Sequence, residues 1–230
     1  MNLFDDRRAA GRALAEELRG YRGSDAQVLG VVRGGVPVAY EVARILGQPL
    51  DVIHVQRFFL REHPDVVLGA VASGGIQIVN PDAIHVWSMD DAEIASIAAE
   101  AALDLHRREI RRRRTHRMAP LAERDVILVD DGMATGAAMR AAIACVRRWE
   151  PRRVVAAVPV AAADSCAHLT AEADEFVCPH CSEEFIAVGE WYERFDPVGD
   201  GEVDEYLERA RRDGGWRSSG AARPVGDLLE

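Results

Sequence analysis

The amino-acid sequence predicts an α/β protein with a mostly parallel sheet flanked by helices. Three observations lead to this fold class: short apolar runs typical of buried strands, helical apolar spacing between the runs, and glycines that follow two of them. Strands covered on both faces are continuous apolar runs, and the alternating helices form the covering layers. Strands are predicted at residues 28–32, 50–55, 126–129, 154–160 and 175–178.

The helices are predicted from apolar spacing and from residues typical of helix ends. Apolar residues recur on one face of residues 4–19. Pro37 suits the first turn of a second helix, and Gly47 suits its C-terminal end. A third helix is expected to begin near Ser88, which has capping-box spacing with Asp91. The remaining predicted elements are helices at 137–149 and 161–170 and a hairpin of residues 66–72 and 76–79.

The 230 residues suit one large or two small domains. We expect a core domain over residues 1–182, an appended subdomain over 183–212 and a flexible tail over 213–230. The tail prediction rests on the glycine, serine and proline content of the final segment, which offers little apolar surface to bury.

The formal net charge is −10, which disfavours binding to nucleic acid or to acidic membranes. All 28 basic residues are arginines, so a lysine Schiff base is excluded. We interpret the arginine-rich run at 107–117 as a solvated helix end, where positive charge suits the helix dipole. The first residues lack the apolar stretch of a signal peptide, and no apolar run has the length of a spanning helix. These observations predict a cytoplasmic protein that binds neither nucleic acid nor membrane.

The cysteine pattern leaves two interpretations open. Cys178 and Cys181 have CxxC spacing, and with Cys166 and His168 upstream they raise zinc as one alternative. Cys166 and His168 lie two residues apart on a predicted helix, so their side chains point in different directions. Ordinary thiols are favoured, because four cysteines do not suggest a disulfide framework in a chain of this length.

Two acidic residues follow the third predicted strand, where ligands bind in an open parallel sheet. Asp130 and Asp131 are followed by the small residues of 132–138 and by a helix that begins near Ala137. Small residues allow close approach of the backbone, and the N-terminus of a helix favours an anion. A diol or metal beside a phosphate would fit this arrangement; the alternative is that the acids merely cap a turn.

A second glycine-containing turn follows the first predicted strand, where Arg33, Gly34 and Gly35 precede a helix. Glycines allow successive amides to face one anion, and an arginine adds a fixed charge with a planar donor fork. By itself this turn is equally consistent with a simple entry to the helix. Two such turns in one sheet predict two separate anion pockets.

The segment VILVDDGMATGAA, at residues 126–138, resembles the PRPP-binding signature of type I phosphoribosyltransferases. The likeness extends more loosely over residues 4–205 and is greatest to a bacterial group of unassigned substrate. The resemblance implies that Asp130 and Asp131 hold the ribose hydroxyls, directly or through Mg²⁺. It implies that Arg33, Gly34 and Gly35 hold the pyrophosphate. The residues implied to hold the 5′-phosphate, through main-chain amides and the Thr135 hydroxyl, are Ala134, Thr135, Gly136, Ala137 and Ala138. Gly132 is a further residue expected to bind substrate.

The resemblance also implies a mobile lid loop at 56–66 and a hood at 183–212. Arg57 stands where the related group usually has lysine, and Phe58, Phe59 and Leu60 replace small residues. In one interpretation, Arg57, Arg61 or His63 reaches the pyrophosphate when the lid closes. In the other, the loop is amphipathic and its Phe residues pack on the core or on a second subunit. The aromatic segment 191–195 either stacks on a nucleobase or packs within the hood.

Two departures bear on the substrate. Ala138 lacks the hydroxyl that many family members have at the end of the loop, which removes one hydrogen bond to phosphate. Ala134 stands where hypoxanthine-guanine enzymes carry an acid, which argues against a 6-oxopurine acceptor.

The resemblance therefore predicts a pentosyltransferase that uses PRPP and Mg²⁺, transfers phosphoribose to the nitrogen of a nucleobase-like small molecule, and releases pyrophosphate. A homodimer is implied because related enzymes commonly form dimers. The first alternative is a protein of the same fold that senses PRPP or a nucleotide without turnover. A two-carboxylate Mg²⁺ phosphotransfer protein is a more remote one.

Overall fold

A computed structural model describes residues 3–113 and 120–214 of the chain. Five parallel strands form the central sheet, in the order β2-β1-β6-β7-β9. The strands of the chain are β1 Gln27–Val31, β2 Leu50–Ile53, β3 Val55–Leu60, β4 His63–Ala72, β5 Ile76–Val79, β6 Asp125–Val129, β7 Arg153–Ala157, β8 Val160–Ala162, β9 Glu175–Val177 and β10 His180–Ser182. The helices are α1 Arg7–Glu17, α2 Gly35–Leu46, α3 Pro81–Val86, α4 Asp91–Arg113, α5 Ala137–Arg147, α6 Ala163–Glu172 and α7 Asp200–Gly214.

The central sheet confirms the predicted fold class and determines where the candidate site lies. Each residue of β1 and of β6 is buried, as expected for strands with helices on both faces. The two strands are parallel neighbours, and Gly30 pairs with Val129. Because parallel neighbours end at the same edge, the residues after β1 lie beside those after β6.

Two apolar layers cover the sheet. On one face, α1, α2 and α7 pack over residues such as Val28 and Ile127. On the other face, α5 packs over Leu128 and Val154 and against the β3-β4-β5 sheet. Alternate residues of each strand therefore enter different cores, which is why the strands consist mainly of apolar residues.

The segment 56–66, expected to be a lid loop, belongs to two antiparallel strands, β3 and β4, joined at a turn of Arg61 and Glu62. Phe58 and Leu60 alternate on the buried side of β3 and pack in the apolar cluster that includes α4. Burial of this period-two pattern favours strand over loop. The core-packing alternative for Phe58 and Leu60 is therefore correct, whereas movement of the hairpin remains a prediction.

The expected hood divides into two parts. Residues 183–198 run along the N-terminus, where the backbone N–H of Phe4 donates to the carbonyl of Trp191 at 3.0 Å. In contrast, α7 packs on α2 and β2 as part of the core layer. Its end is held by Tyr40 Oη, which donates to Asp213 Oδ2 at 2.6 Å. The helix thus extends past the predicted start of the tail, and residues 215–230 lie outside the described residues.

Two predicted helix boundaries differ from the structure. The long helix begins after Asp90, whose side chain accepts from the N–H of Glu93 at 2.7 Å, and not at Ser88. Ser88 has a φ of 49°, in the left-handed region, and a short helix, α3, precedes it. Part of the arginine-rich run, residues 114–117, lies outside the described residues. None of the described helices has the length and apolar character needed to cross a membrane.

The interpretation of all cysteines as ordinary thiols is wrong for two of them. Cys166 on α6 and Cys181 on β10 form a disulfide, and Cys145 and Cys178 are free. Strand β10 was not predicted. It pairs with β8 and thereby brings Cys181 beside α6, with Cα atoms 6.6 Å apart in the disulfide.

Candidate functional site

The acid pair, Asp130 and Asp131, lies directly after the central strand β6. The N–H of Asp130 donates to the carbonyl of Ala157 at 3.3 Å, which continues the pairing with β7 by one residue. The carboxylate of Asp130 accepts from the N–H of Asp131 at 2.9 Å. These bonds position the backbone of Asp130 and its carboxylate at the carboxyl edge of the sheet.

The glycine loop, Arg33 to Gly35, is in contact with the acid pair. A Cβ added at Gly34 would lie 2.2 Å from Asp131 Oδ2, and one added at Gly35 would lie 2.5 Å from the carbonyl oxygen of Val129. No larger residue fits at either position without displacing the acids or their strand. The peptide bond between Val32 and Arg33 is cis. The glycine loop and the acid pair, which the sequence predicted separately, are therefore in direct contact.

The electrostatics of the acid pair favour a bound cation. Burial raises the pKa of Asp130 well above its usual range, and the neighbouring charge of Asp131 raises it further. The positive charge of Arg57 on β3 opposes this shift, which places that exposed arginine within electrostatic reach of the pair. A cation would relieve the repulsion between the two carboxylates.

The small-residue loop, residues 132–138, presents backbone N–H groups outward. Its carbonyls at Met133 and Ala134 accept from Ala162 N–H at 2.9 Å and from Ser165 Oγ at 2.6 Å, respectively. In a trans peptide the N–H points opposite to the carbonyl. The N–H groups of Ala134 and Thr135 therefore point away from β8 and α6, and both of these residues are exposed.

The rest of this loop leads into α5. Gly136, with a φ of 73°, occupies the left-handed region at the N-terminus of the helix, where glycine is favoured. Ala137 is buried and Ala138 half-buried, so a ligand meets the backbone of this turn before any bulky side chain. The first N–H groups of a helix and its dipole attract an anion. Gly132 lies against the hood, where an added Cβ would be 2.5 Å from Val188 Cγ1.

Arg33 lies at the rim of the site. Its Nη1 is 3.8 Å from Asp200 Oδ1 at the start of α7, and both side chains are about half exposed, with relative exposures of 43% and 54%. An ion pair of this kind contributes little stability. The guanidinium can therefore exchange this contact for a stronger anionic partner.

Arg7 on α1 is a site residue that the sequence did not reveal. Its Nε donates to Asp131 Oδ2 at 2.7 Å, and its guanidinium carbon lies 3.7 Å from the centre of the Phe195 ring. Its Nη1 also donates to the carbonyl of Asp196 at 2.8 Å. Arg7 thus joins the hood to the acid pair. No spacing signal distinguishes it from the surface arginines of α1, such as Arg8 and Arg12.

Tyr192 is a second residue that was missed in this role. Its hydroxyl donates to the backbone carbonyl of Asp131, and its ring packs on Phe4 and Phe195. Tyr192 and Phe195 therefore pack against other residues of the structure. This agrees with the packing alternative for the aromatic segment 191–195.

The Arg7 contact leads to a prediction about stability. Replacement of Arg7 by methionine should lower the free energy of unfolding by about 3 kcal/mol at pH 8, because a largely buried carboxylate loses its partner. The side chains of Arg7 and Asp131 are only 11% and 13% exposed. Chemical denaturation measures the loss.

Arg8→Met is the matched control for Arg7→Met. Arg8 is 48% exposed, and its partner Glu41 keeps the ion pair with Arg44 at 2.6 Å. We expect a loss below about 1 kcal/mol for this variant. Equal losses in the two variants would contradict the role assigned to Arg7.

The five-stranded parallel sheet with its flanking helices, and the two glycine-containing loops at neighbouring strand ends, define the class of type I phosphoribosyltransferase folds. The model of the phosphoribosyl transferase domain family matches residues 2–194. The chain belongs to this family.

Individual relatives agree with this assignment. The chain is 40% identical over 213 residues to a provisionally named phosphoribosyl transferase of Mycobacterium tuberculosis, which matches with the same figures in two strains. That match covers 93% of this chain but 48% of the relative, so the chain spans about half its length. The crystal structure of TT1426 from Thermus thermophilus is 42% identical, with a TM-score of 0.73, and the match covers 91% of this chain and 99% of that one.

Proposed function

We propose that this protein binds PRPP with Mg²⁺ and transfers its phosphoribosyl group to a nitrogen of a nucleobase-like small molecule, with release of pyrophosphate. The observation that carries the proposal is the contact of the glycine loop with the acid pair, where a Cβ at Gly34 would lie 2.2 Å from Asp131 Oδ2. PRPP carries a diol between two phosphate groups. The acid pair lies between two loops suited to anions.

The small-residue loop is the proposed site of the 5′-phosphate. The outward N–H groups of Ala134 and Thr135 and the N-terminus of α5 supply several donors to one anion. The Thr135 hydroxyl is 3.5 Å from the N–H of Ala137, a long contact that it can exchange for a phosphate oxygen. Charge-assisted bonds of this kind are stronger than neutral ones.

The glycine loop is the proposed site of the leaving pyrophosphate. Attack of a nitrogen at C1 breaks the bond to pyrophosphate, and negative charge develops on the leaving group. Arg33 and the amides of the loop are expected to oppose that charge once Arg33 exchanges its contact with Asp200 for the pyrophosphate. Arg57, exposed on β3, is the additional cation that we expect to approach the pyrophosphate.

The acid pair has the chemistry that Mg²⁺ requires. Mg²⁺ binds carboxylate oxygens and phosphates and keeps several waters. Burial and the neighbouring charge of Asp131 raise the pKa of Asp130, and the ion pair of Arg7 is with Asp131 and not with Asp130. Asp130 and Asp131 would hold the ion, directly or through the ribose hydroxyls, and Mg²⁺ would neutralise charge on the pyrophosphate.

Two measurements test this function. Calorimetric titration of the full chain with PRPP should show saturable binding in the presence of Mg²⁺ and a strong loss of binding in excess EDTA. Release of pyrophosphate is then followed with a panel of nucleobases and related heterocycles. Absence of any PRPP binding with Mg²⁺ present would overturn the proposal.

The second measurement also separates catalysis from sensing. Ala138 offers no hydroxyl to the phosphate. Phe58 anchors the β3-β4 hairpin in an apolar cluster. Both features favour a protein that senses PRPP without turnover. Binding without pyrophosphate release across the panel would support that second candidate. Release with one acceptor would assign the enzyme and its substrate together.

A further inference from the structure

Three sulfur atoms converge behind the small-residue loop. Cys166 on α6 and Cys181 on β10 form a disulfide, and Cys178 is a free thiol. The three sulfur atoms all lie within 4.8 Å of one another. Within residues 3–113 and 120–214, this is the one place where three metal-ligating side chains approach so closely.

The disulfide alone does not account for this cluster, because it uses only two of the three sulfurs. The CxxC spacing holds Cys178 near Cys181, and the packing of α6 on β10 adds Cys166. Thiolates are preferred ligands of Zn²⁺, which takes sulfur donors from separate elements of a fold. We propose that the reduced protein binds Zn²⁺ through Cys166, Cys178 and Cys181.

The chemistry balances with a dithiol as the reductant. Two electrons and two protons from the dithiol break the bond between Cys166 and Cys181, and the dithiol leaves as its own disulfide. The three thiols then release three protons as three zinc–sulfur bonds form. A water or an external ligand would take the fourth tetrahedral position, because the cluster found among the described residues contains three ligating side chains. Cys181 is exposed, which gives the ion a route from solvent.

The location of the cluster indicates a structural role for the metal. Ser165, next to Cys166 on α6, donates to the carbonyl of Ala134 at 2.6 Å. Leu169 on the same helix lies 3.1 Å from the position of a Cβ added at Gly136. Zinc would therefore hold in place the helix that supports the small-residue loop, at a site different from the acid pair.

Cobalt absorption spectroscopy tests the proposal. The full chain is reduced with a dithiol, freed of reductant without oxygen, and titrated with Co²⁺. We expect sulfur-to-cobalt charge-transfer absorption that saturates at one ion per chain and disappears on addition of Zn²⁺. Carboxylate ligands give no such band, so binding at the acid pair is not mistaken for this site. Absence of the band in the reduced wild-type protein would overturn the proposal.

Cys178→Ser is the decisive variant, since Cys178 is outside the disulfide and the oxidised fold is unaffected. We expect its Co²⁺ affinity to fall by at least about 100-fold, because even partners of metal ligands cost up to that factor. Cys181→Ser, at an exposed position, should show a similar fall in Co²⁺ affinity. Cys145→Ser, buried on α5 away from the cluster, is the matched control and should retain the band. Unchanged Co²⁺ affinity in Cys178→Ser would contradict the proposed zinc site, and the sulfur cluster would then be explained by the disulfide alone.

Discussion

Replacement of both Asp130 and Asp131 by asparagine is expected to weaken PRPP binding by about 1,000-fold. Each carboxylate is proposed to accept one charge-assisted hydrogen bond from the ribose or from hydrated Mg²⁺, worth about 1.5–3 kcal/mol. Two such bonds amount to about 3–6 kcal/mol, and about 4.1 kcal/mol corresponds to 1,000-fold. Calorimetry with PRPP and Mg²⁺ measures the effect. Asp164→Asn, an exposed acid in the first turn of α6, is the control and should bind normally.

Stability measurements separate this loss from unfolding. Because the pKa of Asp130 is raised in the folded protein, the fold retains a proton that the unfolded chain releases. Wild-type stability should therefore fall relative to Asp130→Asn as the pH rises above about 4, the ordinary carboxyl range. The single variant should melt at a higher temperature than wild type at pH 8, with a smaller difference at pH 5. An Asp130→Asn variant that melts at a lower temperature than wild type at pH 8 would speak against this account.

Replacement of Gly35 by alanine is expected to abolish most PRPP binding and to destabilise the fold. The new Cβ would lie 2.5 Å from the carbonyl oxygen of Val129 and 2.8 Å from Asp130 Cα, both backbone atoms at the end of the central strand. Forcing a methyl group into such a space costs about 1–3 kcal/mol. A shift of about 1 Å between the two loops would reduce activity by about 100-fold. Chemical denaturation measures the loss of stability, and PRPP titration measures the loss of binding.

Gly20→Ala is the matched control for the glycine substitution. No atom lies within 4 Å of a Cβ built at Gly20, and its backbone is outside the left-handed region. The variant should bind PRPP normally and differ in stability by less than about 1 kcal/mol. If Gly35→Ala behaves like Gly20→Ala, close contact between the glycine loop and the acid pair is not required.

Much of the sheet could be predicted because its strands carry local evidence. Apolar runs of five and four residues, at 28–32 and 126–129, precede Arg33 and Asp130, and short apolar runs of this kind are typical of buried parallel strands. The adjacency of those strand ends was not predicted and is seen in the structure through the pairing of Gly30 with Val129. The helix ends at Gly47 and Gly136 were marked by the glycines themselves.

Other features depend on packing between distant segments. The family resemblance predicted a lid loop at 56–66, and burial of Phe58 beneath α4 accounts for the extended form of the β3-β4 hairpin found there. The Cys166–Cys181 disulfide depends on the short strand β10, which has three residues and little propensity signal. Similarly, α7 could be assigned to the core only from its packing on α2.

The sequence by itself determined the layered α/β architecture and the two loops, since apolar periodicity and glycine position act over a few residues. The tertiary structure alone decided that Arg7 reaches Asp131, 124 residues away, and that the hood is joined to the acid pair through Phe195. The physical reason is that a charged side chain on a helix surface has no local preference for one distant carboxylate. Its partner is selected only when the packed layers exclude water and bring the two charges together.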